Sequence, residues 1–366
     1  MFVEQLIEDA AVKNIAQKVI NDERITPEEG VLLYENADIA TLGYLANVVR
    51  ERKNGDRTYF NKNLHIEPTN RCVYSCKFCS YYQKKGEDGW EFSREQMLEK
   101  VANMGDDITE VHIVGGVHPH WDLHYYGEFF RAIKKLRPDV HIKAFTAVEI
   151  SFISKKSKMS VEEGLAALKE YGLDSIPGGG AEIFDEEIRQ QVCPHKDTGE
   201  EWLYLHETAH KLGIPTNATI LYGHIEKPVH RIDHLNRLRE LQDRTGGFNV
   251  FIPLKYKKEN NELSYLGEVS VIEDIKMYAM SRIYLDNFGH IKAYWPMIGK
   301  DISQLLLSFG VDDFDGTIND STKIYSLAGA EEQAPSMTTD EMVKMIKDAG
   351  RAPVERDSVY NILKEY

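Results

Sequence analysis

The chain has 366 residues, 42% of them hydrophobic, enough for one large barrel or two ordinary domains with a substantial core. Its formal charge of −15, from 59 acidic against 44 basic side chains, excludes nonspecific binding to nucleic acid or to an anionic membrane surface. No apolar run approaches the ~18 residues of a membrane-spanning helix, and the charged, helically spaced N-terminus is neither a secretory nor a transit peptide, so a soluble, acidic, cytoplasmic protein is expected.

Residues 1–60 form a predicted helical lead-in, with apolar positions recurring at three- and four-residue spacing. Within it Thr26, Pro27 and Glu29 spell an N-cap, a first-turn proline and a capping-box partner, and a further amphipathic helix runs to Gly55. From residue 61 to 320, short β-rich segments alternate with longer helical ones. The strand candidates fall at 63–70, 110–116, 141–147, 174–179, 216–222, 247–254, 290–296 and, most weakly, 310–316. Several intervening helix patterns close on a glycine, as in VEEGLAALKEYG. Such alternation predicts an α/β fold, a TIM-type (β/α) barrel. Eight candidates make it a complete (β/α)8 barrel, with six strands as the alternative. Residues 321–366 are expected to be a helical extension packed on the barrel: a helix, a Gly-Arg-Ala-Pro turn at 350–353, then a short second helix.

Three of the four cysteines lie in nine residues, RCVYSCKFC, Arg71 to Cys79. An odd local count in a long chain argues against a disulfide framework. A structural zinc site needs a fourth ligand beyond Cys72, Cys76 and Cys79, from Cys193 or a histidine. A four-iron cluster with three protein thiolates leaves one iron open to a small molecule, and the C-x3-C, C-x2-C spacing suits that use. The cysteines follow the first strand directly, so they would hang over the C-terminal mouth of the barrel, where such folds keep their chemistry.

Other strand ends carry candidates of their own. The second ends in GGVHP, Gly115 to Pro119, where paired glycines admit a ligand close to the backbone or make a tight turn. The third leads to Thr146 and Glu149. The fourth leads to PGGGAE, whose Glu182 could accept from ribose hydroxyls or an ammonium, or could cap the next helix. Lys255, Lys292 and Arg282 are cations near the sixth and seventh strand ends. Solvated lysines are common, but a substrate with carboxylates would need such partners, and the planar fork of Arg282 matches a carboxylate best. The plainer reading pairs Arg282 with Asp286 on the same helix.

The C-x3-C-x-aromatic-C motif after a strand resembles the signature of the radical S-adenosylmethionine (SAM) enzymes. That resemblance implies a [4Fe–4S] cluster on Cys72, Cys76 and Cys79, with Cys193 outside the set. It implies SAM as cosubstrate, chelated by the open iron and reductively cleaved to a 5′-deoxyadenosyl radical. It also implies a cosubstrate site lined by Phe78, Gly115, Gly116, Val117, Pro119, Thr146, Glu149, Gly178, Gly179, Glu182, Leu221 and Gly223. TILYGHIE, Thr219 to Glu226, resembles the family's G-x-I-x-G-x-x-E pattern with Thr219 in place of the first glycine.

Over residues 60–360 the motifs HIEPTNRCVYSCKFC, HIVGGVHP, PGGGAEIF, CPHKDTGEEWL, TNATILYGHIE and AGRAPVERD are similar to the aminofutalosine synthase family of menaquinone biosynthesis. Cyclic dehypoxanthine futalosine synthases and deazaflavin-forming radical SAM enzymes share several of them. The implied substrate is 3-[(1-carboxyvinyl)oxy]benzoate, converted with loss of carbon dioxide to 6-amino-6-deoxyfutalosine. The implied partner is a reducing electron donor such as flavodoxin or ferredoxin. His118, Arg282, Lys255 and Lys292 are then the candidates for the substrate's two carboxylates, and no residue is assigned to catalysis. A reading of another class, a non-catalytic iron–sulfur or zinc protein, would need a fourth ligand.

Overall fold

The computed structural model describes residues 7–317, 323–330 and 334–366. The first six residues of the predicted helical lead-in, and 318–322 and 331–333 about the predicted junction of barrel and tail, lie outside the described residues.

Ten strands are named in chain order: β1 (Arg57–Asn61), β2 (Asn63–Ile66), β3 (Glu110–Ile113), β4 (His141–Ala144), β5 (Thr216–Tyr222), β6 (Phe248–Lys255), β7 (His290–Ile291), β8 (Asp313–Gly316), β9 (Ala352–Arg356) and β10 (Ile362–Glu365). β1 and β2 are one run broken at Lys62. Its upper half pairs in parallel with β3, and β3 with β4. Residues 174–176 bridge β4 to β5 through Lys143–Ser175 and Ile176–Thr216. β5, β6 and β7 pair in parallel, a Lys292–Asp313 bridge carries the sheet to β8, and β8 returns to β1. Eight parallel segments thus follow one another in a ring at the eight predicted places, as three short sheets linked by single bridges and by the β1–β2 run, and β1 takes the last residues of the predicted helical lead-in into strand.

Helices join the strands, most of them started by a side chain that satisfies exposed first-turn N–H groups. Ser93, Thr146, Ser160 and Thr198 form full capping boxes with Gln96, Glu149, Glu163 and Glu201. The inner faces of these helices and the outer faces of the strands share one apolar core, including Val111, Ile142, Phe129, Leu168, Trp202 and Tyr278. Thr26 and Glu29 form the predicted capping box on the helix Pro27–Asn36. From the next helix, Ile39–Asn54, the fully buried Arg50 donates to the carbonyls of Gly55, Arg57 and Val311. That anchors the lead-in at the end of the barrel where β1 and β8 begin.

The tail departs from expectation. Its helix, Thr339–Asp348, is present, but the predicted second helix is β9 and β10, an antiparallel pair. Ala352–Glu355 pairs in parallel with Arg57–Phe60. β3 begins pairing only at Asn63, so the lower half of β1 would otherwise present an open edge. Covering that edge selects strand over the weak helical pattern.

Candidate active site at the barrel mouth

The cysteine loop leaves β2 and is pinned to its neighbours by backbone bonds. Val73 N–H donates to Val117 O (2.9 Å), Gly116 N–H to Thr69 O (2.7 Å) and Lys77 N–H to Val192 O (2.9 Å). The Ser80 hydroxyl donates to Glu259 O at 2.6 Å. A Cβ on Gly116 would lie 2.4 Å from Arg71 O, and one on Gly115 2.9 Å from Thr69 O. The glycine pair therefore has a packing role: it lets the second strand end slide under the cysteine loop.

Cys72, Cys76 and Cys79 all line one cavity of about 230 Å3 over the barrel mouth. None is in a disulfide. Burial pushes their thiols up, Cys76 to about 12. Cys193 does not line the cavity; it packs behind Cys76 with Val192, Tyr256 and Leu263. Among the described residues no three His, Cys, Asp or Glu side chains gather as ligands of a single metal ion would. Three uncommitted thiols around one cavity are nevertheless the donor chemistry a cluster takes, since each of its irons accepts a different thiolate.

Most of the predicted cosubstrate residues meet at this cavity: Phe78, Gly115, Gly116, Val117, Thr146, Glu149, Gly179, Glu182 and Leu221. Glu149 is already engaged. Its carboxylate accepts from Thr146 N–H and hydroxyl (both 2.7 Å) and Gly115 N–H (3.2 Å), tying the second strand end to the third, and burial pushes it up to about 7. Glu182 has a left-handed backbone, φ +49°, a conformation that surrounding structure must enforce in a non-glycine residue. Its carboxylate accepts from the Lys196 ammonium at 2.7 Å, and that ammonium lies 5.3 Å from the Phe78 ring centre. Lys196 also lines the cavity. It sits on a loop far from any strand end, so position in the sequence gave no reason to choose it.

Other predicted residues lie elsewhere. Gly223 and Pro119 do not line the cavity. The Glu226 carboxylate accepts from Gly223 N–H (2.6 Å) and pairs with Arg231 (2.6 Å), so TILYGHIE closes a turn after β5 and only Leu221 faces the mouth. His118 is a loop staple: its Nδ1 accepts from His120 and Trp121 N–H (3.2 Å each), its Nε2 bonds Glu91 (3.0 Å), and its ring stacks on Trp121. Arg282 is fully buried at the opposite end of the barrel, bonded to Gly310 O (2.8 Å), Gly289 O (3.2 Å) and the Asp312 carboxylate. Nor does it pair with Asp286, which binds Arg24 at 2.7 Å. Lys255 lines the mouth, held by Asp274 (2.8 Å) and Val269 O (3.0 Å).

Gly178 and Lys292 line a second, inner chamber of about 190 Å3 within the barrel. Its floor carries residues that a place at a strand end does not single out: His65, Glu110, His112, Lys143, Asn217 and Asp315. Lys143 pairs with Glu110 and Lys292 with Asp315, both at 2.5 Å. Ile324 and Tyr325 roof both spaces. They are held down by Glu67 at the end of β2, whose carboxylate accepts from Lys323 N–H (3.0 Å) and Ile324 N–H (3.3 Å).

Comparison with known proteins agrees with this geometry. Residues 66–238 match the Radical SAM superfamily and residues 245–365 the CofH/MqnC C-terminal region. The chain is 43% identical to aminodeoxyfutalosine synthase of Thermus thermophilus over 97% of this chain and 96% of that one. It is 37% identical to cyclic dehypoxanthine futalosine synthase of Streptomyces coelicolor, covering 98% and 90%. Among solved structures, methylornithine synthase aligns with a TM-score of 0.74 over 93% of this chain and 97% of that one, at 16% identity, a likeness of fold alone. The chain belongs to the radical SAM superfamily.

Proposed function

We propose that the chain joins the adenosyl group of SAM to 3-[(1-carboxyvinyl)oxy]benzoate with loss of carbon dioxide, giving 6-amino-6-deoxyfutalosine for menaquinone biosynthesis. The observation that carries this reading is end-to-end identity of 43% to a protein named for that synthesis, over a mouth lined by three uncommitted thiols. Cys72, Cys76 and Cys79 would hold a [4Fe–4S] cluster, which supplies the reductive cleavage of SAM when bound.

The chain's own groups have distinct tasks. Lys196 is a cation in the cavity wall suited to the methionine carboxylate, and Glu182 an acceptor suited to an ammonium or ribose hydroxyls. Gly115, Gly116 and Gly179 leave room for the cosubstrate beside the cysteine loop, and Leu221 and Val117 offer apolar surface. Lys255 and Lys292 are the predicted cations that remain at the two spaces for the substrate's carboxylates. Ile324 and Tyr325 cover both spaces, excluding water and outside hydrogen donors from a reactive carbon. A low-potential donor such as flavodoxin or ferredoxin supplies the electron. Among the described residues no helix is long and apolar enough to cross a membrane, in keeping with a cytoplasmic site of action.

The test is anaerobic reconstitution followed by the mass of the product formed from SAM and the enolpyruvyl benzoate. The adduct mass less carbon dioxide is expected. No adduct, with turnover of dehypoxanthine futalosine instead, would reassign the chain to the activity of its 37% identical relative.

A further inference from the structure

The inner chamber adjoins the thiol-lined cavity, sharing Gly115, Thr146, Gly179, Leu254, Ile324 and Tyr325 with it. It ends in two ammonium groups that are almost wholly buried, Lys143 and Lys292, each 3% exposed. An ammonium has three donors. Glu110 takes one from Lys143, and Asp315 takes one from Lys292 while Asp313 stands 3.8 Å away. Asp315 has a left-handed backbone, φ +66°, so the fold holds this carboxylate in a costly conformation where it fixes Lys292. Buried polar atoms without partners are exceptional in folded proteins. Here Asn217 and His112 both line the chamber, and Asn217 Oδ1 and His112 Nε2 are buried with no hydrogen-bond partner among the described residues. The Asn217 NH2 makes no hydrogen bond among the described residues either, so this amide can offer either end to a ligand. Ile252, Leu254 and Pro177 give the walls apolar surface, while Glu67, Thr219 and Tyr294 also line them.

We infer that this chamber is the seat of the substrate's ring carboxylate, with Lys143 and Lys292 as its cations and Asn217 as the amide that completes it. The inference rests on the activity proposed above. The double bond that gains the adenosyl carbon must face the mouth, and the enolpyruvyl carboxylate is attached to that bond. The ring carboxylate lies across the aromatic ring and so reaches deepest. Asp315 Oδ2 also lacks a partner, and its charge means that an incoming anion must share Lys292. Glu110 shares Lys143 in the same way, so the preference is read at Lys143 together with its partner and at Asn217. An aryl group without the carboxylate leaves these donors unsatisfied, and sites that bury unpaired donors reject such analogues strongly.

The test pairs a protein change with a ligand change, so that only the shared contact is read. The enolpyruvyl benzoate and 2-phenoxyacrylate, which lacks the ring carboxylate, are titrated calorimetrically into the cluster-free full chain and assayed with the reconstituted enzyme. The variants are Glu110→Gln/Lys143→Gln, which keeps a hydrogen-bonded pair without charge, and Asn217→Ala, which breaks no side-chain hydrogen bond among the described residues. Wild type is expected to prefer the carboxylated compound by about a hundredfold or more. The double variant should cut that preference below about tenfold, and Asn217→Ala by several fold. A preference unchanged in both folded variants, or absent from wild type, overturns the seat. Failure of wild type to form the adduct while the calorimetric preference follows the expected pattern counts against the proposed activity and not against the seat.

Discussion

The Lys196 ammonium donates to Glu182 at 2.7 Å while lying over the ring of Phe78, the aromatic residue of the cysteine motif. A loop cation and a strand-end carboxylate thus form one wall of the thiol-lined cavity. A charge-assisted hydrogen bond contributes about 1.5–3 kcal/mol. Lys196→Met should therefore raise the dissociation constant for SAM roughly ten- to a hundredfold, with the absorbance of the reconstituted cluster retained. Glu182→Gln keeps the shape and should weaken binding less. Unchanged SAM affinity in both variants would make the pair a tie within the fold.

Cys193 and Cys76 belong to one small apolar cluster, yet only Cys76 lines the cavity. Cys193→Ala is expected to assemble a full complement of iron and sulfide and to lose only about 1 kcal/mol of stability, as an ordinary buried substitution does. Cys76→Ala should assemble none. Loss of the cluster in Cys193→Ala would require a fourth protein ligand and end the open-iron reading.

The mouth was legible because chemistry in such barrels gathers where strands end, and the motifs after β2, β3 and the 174–176 segment all fall there. What sequence could not separate was contact from packing. Gly116 lines the cavity, but the carbonyl of Arg71 alone would demand a glycine. Arg282 has the same neighbours in sequence whether its guanidinium meets a substrate or a ring of carbonyls; burial decides. The inner chamber did leave a trace. His65, His112, Lys143 and Lys292 are polar residues inside short apolar strands, NLHI, EVHI, HIKA and HIKA. A buried parallel strand reads as a near-continuous apolar run, and four strand segments interrupted alike by one polar residue mark a polar barrel interior. Lys196 left only its place in the CPHKDTGEEWL motif, where nothing local distinguishes it from a solvated loop lysine.

Glu67 couples the roof of the site to pH. Burial pushes its carboxyl up to about 7, against an ordinary 4.5. Between those values the folded chain keeps a proton that the unfolded chain has released. Stability is therefore highest below pH 4.5 on this account, and falls as pH rises through 7, where a buried charge must form. Glu67→Gln removes that charge and retains a carbonyl oxygen that can accept from Lys323 and Ile324. The variant should unfold at a higher temperature than wild type at pH 8, and the difference should shrink towards pH 5. A constant difference across that range would assign the roof contact no linkage to protonation.

Arg282 and Asp312 are both fully buried, and the Asp312 carboxylate also bonds His290 Nδ1 (2.6 Å) and Ile291 N–H (2.8 Å). The guanidinium reaches Gly310 O and Gly289 O as well, so one side chain fastens the helix Val271–Tyr284 to the ends where β7 and β8 begin. A lysine cannot serve carboxylate and both carbonyls from one nitrogen with the same geometry. Breaking a buried pair of this kind costs about 3–5 kcal/mol, and a charge-preserving change should cost somewhat less, about 2–3 kcal/mol. Arg282→Lys should thus lower the unfolding temperature by several degrees. At temperatures where the variant stays folded, adduct formation and the ratio of free 5′-deoxyadenosine to adduct should match wild type. The converse result, an unchanged unfolding temperature with a marked rise in uncoupled 5′-deoxyadenosine, would return Arg282 to the substrate and require the barrel floor to open during turnover.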